Sequence, residues 1–185
     1  MKEKALENKN HLLEVLQSTK AKYIVGTILL SGIGIAFPRI FHVLAGTSAG
    51  TTFLPMHIAV LIAALTFGIT SSTIVAGSSI VCSYLLTGMP SLARLPYMLI
   101  ELVIYAILLS VCNKKFNSYI SLIATIILGR VLYAGVLAVA INVLGLPTYG
   151  ISVIESIKVG LPGIILQLAF VPVIAKVIKK GAKLD

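Results

Sequence analysis

Met89–Asn113 reads MPSLARLPYMLIELVIYAILLSVCN, an apolar run long enough to cross a bilayer with one glutamate, Glu101, near its middle. A carboxylate at that depth costs at least a few kcal/mol unless another group answers it. Outside this stretch, the one further charged residue set inside an apolar run is Arg130. The reading of the chain turns on whether these two residues belong together.

Composition sets the class. Hydrophobic residues make up 58% of the 185 and charged residues only 11%, against about 25% charged in a soluble protein. With a mean hydropathy of +1.04, an all-α integral membrane protein is expected. The net charge of +9 does not point to nucleic acid, because no basic face with interleaved aromatics exists. The lysines instead cluster at the termini and in one short loop, as cytoplasmic charge does. Cys82 and Cys112 both sit in apolar runs, which suits packing residues rather than a disulfide framework or a zinc site. Residues 1–22 lack the apolar core of a signal peptide. Leu12, Leu13, Val15 and Leu16 give them a weak apolar face, so a short helix on the cytoplasmic surface is expected there.

Six spans follow in order. The first covers Tyr23 to about Leu44 and carries Gly32 and Ala36, a small-xxx-small pair that lets another helix approach closely. AGTSAGTT (Ala45–Thr52) is a loop, and Pro55 suits the first turn of a second helix over Pro55–Phe67. GITSST (Gly68–Thr73) supplies a break, and a third helix follows over Ser72–Leu86. The second and third helices are short for spans, so one or both are expected to be tilted little or to be set within the bundle. TGMPSLARL (Thr87–Leu95) leads into the fourth span, Pro96–Cys112. The fifth covers Ser118–Leu144, the loop Gly145–Lys158 follows, and the sixth covers Val159–Val177. The domain plan is therefore a cytoplasmic segment at 1–22, a six-helix membrane domain at 23–178 and a basic tail at 179–185.

Six spans place both termini on one side. With that side inside, eleven Lys lie inside, and only Arg39, Arg94 and Lys158 lie outside. This is a strong positive-inside bias. The longer loops then face outward, where a protein captures small molecules.

Counting helix rise places the polar residues in depth. Glu101 lies 12 residues before Asn113, Arg130 lies 12 after Ser118, and Gln167 lies 12 before Lys179. At about 1.5 Å per residue all three fall roughly 18 Å from the inner boundary. Two readings stand for Glu101 and Arg130: a structural ion pair, or the charged floor of an outward-facing pocket. Gln167 suits either interhelical bonding or a ligand contact. His57 and His42, near helix ends, are further candidates, although no third ligand supports a metal site. Arg39 and Arg94, with Lys158, crown the outer face, where they attract an anion or anchor helices at the headgroups. Tyr97, Asn142 and Tyr149 complete the candidates for pocket or lid. No catalytic set and no Walker motif can be assembled from the spacing, so neither an enzyme nor an ATPase is expected.

Several segments resemble the substrate-binding (S) component of an energy-coupling factor (ECF) vitamin transporter. They are FPRIFH, FLPMHIAVL, LLTGMPSLARLPYMLIELVIYA, GRVLYAG and GLPGIILQLAFVPVI, and the likeness covers about Tyr23–Lys180. The resemblance implies six helices in a bacterial cell membrane and a vitamin-class ligand bound from the outer side. It also implies a transmembrane coupling protein and two ATPases as partners, with ATP used by those partners alone and no cofactor in this chain. The pocket would be built from the outer loops and the outer halves of helices four to six. The small-residue face of helix one would dock the coupling protein; the family pattern there is AxxxA, and Gly32 with Ala36 departs from it. The loaded subunit would then topple in the membrane to release its cargo. Arg130 and the basic outer residues tilt the expected ligand toward a carboxylate or phosphate, something like pantothenate. A solitary carrier or channel is the alternative, and a membrane-embedded enzyme or assembly factor a more distant one.

Overall fold

The computed structural model describes residues 18–46, 52–92, 94–143, 145 and 153–184. Among them are six α-helices: α1 Thr19–Ala45, α2 Pro55–Thr66, α3 Ile69–Thr87, α4 Leu95–Cys112, α5 Ser118–Asn142 and α6 Val153–Ala182. All but α2 are long and apolar enough to cross a membrane, as expected of a multi-pass membrane protein. Large apolar side chains such as Ile127, Val131, Ile165 and Phe170 stand exposed on α5 and α6. They would be a liability in water but suit contact with lipid.

The helix ends have local causes. Pro55 and Pro96 occupy first-turn positions, where the missing N–H costs nothing. Asn117 caps α5, its side-chain oxygen accepting from the Ile120 N–H at 2.9 Å. Gly88 ends α3 in the left-handed region at φ 69°, its N–H donating to the Tyr84 carbonyl.

Three boundaries differ from those expected. α3 begins at Ile69, not Ser72, because Gly68 alone (φ 81°) makes the reversal. The serines that look like loop are absorbed into the helix: the Ser72 hydroxyl bonds back to the Gly68 carbonyl at 2.9 Å. α6 begins at Val153, not Val159. Hydropathy marks where lipid starts, whereas a helix runs on until a breaker, and no Gly or Pro lies between 153 and 158. α1 begins at Thr19, not Tyr23, and as expected continues through Pro38, to Ala45, since without water there is little alternative to the helix for the neighbouring backbone. The expected surface helix within 1–22 falls mostly on residues outside those described; Thr19–Lys22 form the first turn of α1.

The second helix departs most from a simple row of spans. At 12 residues it is about 18 Å long, against a hydrocarbon core of about 30 Å. Eleven of its residues are buried, and a helix that is apolar and buried all round belongs at the centre. It packs against α1, α3, α4 and α6, while α1, α3, α4, α5 and α6 follow one another in an arc around it. Its register against α6 is set by Gly163, where a Cβ would lie 2.7 Å from the Thr52 carbonyl oxygen and from the Phe53 backbone. Close approach of backbone to backbone is what that glycine permits.

Gly163→Ala is therefore expected to lower the thermal unfolding midpoint of the purified protein. Gly77→Ala, whose Cβ would meet nothing within 4 Å, should leave the midpoint unchanged or raise it through helix propensity.

Candidate functional site

The fourth helix carries Tyr97, Glu101 and Tyr105 at i, i+4 and i+8, a spacing that stacks them on one face, and all three are buried. The fifth presents Gly129, Arg130 and Tyr133, also buried. The Arg130 Nη1–H donates to Glu101 Oε1 at 2.8 Å, a short charge-assisted bond. Both side chains are largely shielded, at 8% and 10% exposure. The third member comes from α2: His57 Nε2 stands 3.6 Å from the same carboxylate oxygen, beyond hydrogen-bond reach.

Aromatic rings enclose this cluster. One turn along α4 from Glu101, Tyr105 meets the His57 ring edge-on with centroids 5.3 Å apart. It fits there because Gly129 has no side chain: a Cβ would lie 3.1 Å from the Tyr105 ring. On the other side, toward the end of the bundle opposite the termini, Tyr97 and Tyr133 belong to a separate buried cluster with Leu137 and Ala140. Tyr133 lies within Coulombic range of Glu101, Arg130, Tyr97 and Arg94. Beyond this layer an apolar crevice of about 590 Å³ runs between α4 and α5, lined by Pro96, Tyr97, Ile100, Val131, Leu132, Gly135, Val136, Val139 and Ala140.

Gln167 is 1% exposed, and its Nε2 has no hydrogen-bond partner among the described residues. Its placement on α6 follows from the Gly163 contact. α2 and α6 run in the same direction, Gln167 is four residues beyond Gly163, and His57 is four beyond Phe53. The offset on α6 is about one helical turn, roughly 6 Å, whereas the chain from Phe53 to His57 passes through Leu54 in the left-handed region before α2 begins. Gln167 thus lies on the same face of α6 as Gly163, the face that turns toward the entry of α2. Three helices therefore bring His57, Glu101 and Arg130 together, and Gln167 is buried on a fourth.

The other candidates fall elsewhere. Arg39 and Arg94 are exposed. Asn142 is exposed, and its side-chain amide donates to the Ala138 carbonyl of its own helix at 2.9 Å. Tyr149 and the side chain of His42 lie outside the described residues. Gly32 and Ala36 sit exposed on α1. No group of three or more potential metal ligands occurs among the described residues. Sequence reasoning missed Tyr105, Tyr133 and Gly129. The available signal was helical spacing, since Tyr105 is i+4 from Glu101 and Tyr133 is i+3 from Arg130.

Breaking a buried ion pair leaves a lone charge, which costs about 3–5 kcal/mol, whereas removing both partners is often nearly neutral. Glu101→Leu and Arg130→Leu are each expected to destabilise the protein by that amount in denaturant unfolding, and the double variant to recover most of the loss. Comparison with protein-family models, with characterised proteins and with solved structures finds no match to this chain.

Proposed function

We propose that this chain is the substrate-binding subunit of an ECF-type transporter in a bacterial cell membrane. In this role it captures a small vitamin-like molecule on the outer side and delivers it inward with a coupling protein and two ATPases. The observation that carries the reading is the convergence of His57, Glu101 and Arg130 from three helices on one buried cluster, with the buried Gln167 on a fourth. Ionisable groups at membrane depth are expensive, and where they occur they usually serve a ligand or ion pathway. The likeness of FLPMHI, LLTGMP and LPGIILQL to that family supports the same role.

Orientation follows from charge. With six spans and both termini cytoplasmic, Lys114, Lys115, Lys176, Lys179 and Lys180 stand inside, and Arg39, Arg94 and Lys158 outside. Although shorter than a full span, α2 counts as a crossing in this reading. The polar layer then lies on the outer half of the bundle, beneath Tyr97 and Tyr133. The exposed small residues Gly32 and Ala36 offer the coupling protein a surface that another helix can approach closely.

Tagged at the C-terminal tail and purified from its own membrane, the chain is expected to carry a multi-span partner and two ATPases with it. Purification alone, together with uptake that survives without ATP, rejects the reading. Arg130→Ala and Glu101→Ala should abolish ligand binding, whereas Gly32→Leu and Ala36→Leu should spare binding and stop uptake. In a background lacking Cys82 and Cys112, a cysteine placed at Arg94 should react with an impermeant reagent from outside intact cells, and one placed at Lys180 only after lysis.

A further inference from the structure

The seam between α4 and α5 is tight at one level and open at the next. At Gly129 the Tyr105 ring lies against the α5 backbone. Farther along α5, toward the end of the bundle opposite the termini, Tyr97, Tyr133 and Leu137 turn inward into a buried cluster with Ala140. Short residues such as Pro96 and Gly135 are left on the other side of the seam, and they do not fill it: the crevice of about 590 Å³ lies there. A Cβ at Gly135 would meet nothing within 4 Å. Tyr97 and Ala140 are buried at the floor of the crevice, whereas Ile100, Val131, Leu132 and Val139 stand 40–62% exposed along its rim. The crevice therefore opens sideways, through the lipid-facing surface of the bundle. From Val131 to Val139 it follows α5 for about 12 Å.

Its volume is that of a small-molecule site, but of the described side chains that line it only Tyr97 carries a polar atom. Such a lining does not orient a water-soluble ligand by converging hydrogen bonds; it suits hydrocarbon. A lipid chain gains no hydrophobic energy on entering, because the bilayer is equally apolar, so selection has to come from the headgroup. Arg94 supplies that selection. It is exposed, stands two residues before Pro96 at the start of α4, and lies within Coulombic range of Tyr133, which packs with Tyr97 and Ala140 of the crevice floor. No acidic side chain is among the lining residues. A guanidinium takes phosphate oxygens bidentately, and the start of a membrane helix is where headgroups lie. A second copy of the chain fits less well. A twofold axis along the membrane normal would set two Arg94 side chains at one height across the interface, like charge against like.

We propose that the crevice between α4 and α5 holds an acyl chain of an anionic phospholipid whose phosphate is taken by Arg94. The inference stands apart from the transporter reading, since it requires only that the bundle sits in a membrane.

Native mass spectrometry of the full chain in nonionic detergent tests it. The probes are phosphatidylglycerol and phosphatidylcholine with identical chains, glycerol phosphate as a headgroup without chains, and palmitate as a chain without phosphate. Phosphatidylglycerol should be retained about fivefold more strongly than phosphatidylcholine, the scale of one arginine near a headgroup, and glycerol phosphate and palmitate more weakly still. Gly135→Leu should fill the crevice and lower that retention at least fivefold, with the melting temperature unchanged or raised by helix propensity. If Gly135→Leu lowers the melting temperature, Val139→Phe on the exposed rim is the filling variant that decides. Arg94→Gln should bring phosphatidylglycerol down to the level of phosphatidylcholine, whereas Arg39→Gln, on α1, should change nothing. Equal retention of the two phospholipids overturns the proposal, as does a filling variant that binds like the wild type. Equal losses in Arg39→Gln and Arg94→Gln mean diffuse surface attraction and also overturn it. Tighter binding of palmitate makes the crevice a fatty-acid site, and a dimer that the filling variant abolishes makes it an interface between copies; either result rejects the phospholipid.

Discussion

A carboxylate and a guanidinium placed where water does not reach must find each other, and much of the bundle is arranged around the bond between Glu101 and Arg130. At 2.8 Å it joins the fourth and fifth helices at mid-depth. Neither residue can be charged there alone without a penalty of several kcal/mol. The neighbouring choices follow from that requirement. Gly129 is small so that Tyr105 can lie against α5, and Tyr105 in turn holds the His57 ring edge-on beside the pair. Tyr97 and Tyr133 close the opposite side.

The central helix α2 is the second constraint. A helix buried on nearly every side has no face left for lipid, so it need not be as long as the bilayer is thick. Its shortness lets the chain before it meet α6 at Gly163, where two backbones touch. That contact sets how the entry to α2, and with it His57, sits against α6. The glycine and the histidine are thus parts of one arrangement, although they are more than a hundred residues apart.

Much of this was legible from one dimension. Apolar runs located the five long helices, and Glu101 and Arg130, singled out as the charged residues within those runs, are ion-paired. The errors came where a local signal meant two things. GITSST reads as a break, yet in an apolar setting its Ser72 hydroxyl bonds back to the Gly68 carbonyl of its own helix, and Gly68 turns the chain by itself. The start of α6 was placed where hydropathy rises, but a helix ends at breakers rather than at the membrane boundary. Asn142 looked like a pocket residue by composition and spends its amide on its own backbone.

The sequence by itself determined the class of the molecule and the number and approximate ends of its helices, because hydrophobicity and helical periodicity act along the chain. Tertiary structure alone decided which faces meet. Depth does not specify azimuth, so only packing shows that Glu101 and Arg130 point at each other, that His57 shares their oxygen, and that the second helix is the core and not another wall. Those are contacts between residues distant in the chain, made by close approach at Gly129 and Gly163, and no period or composition along one strand of sequence records them.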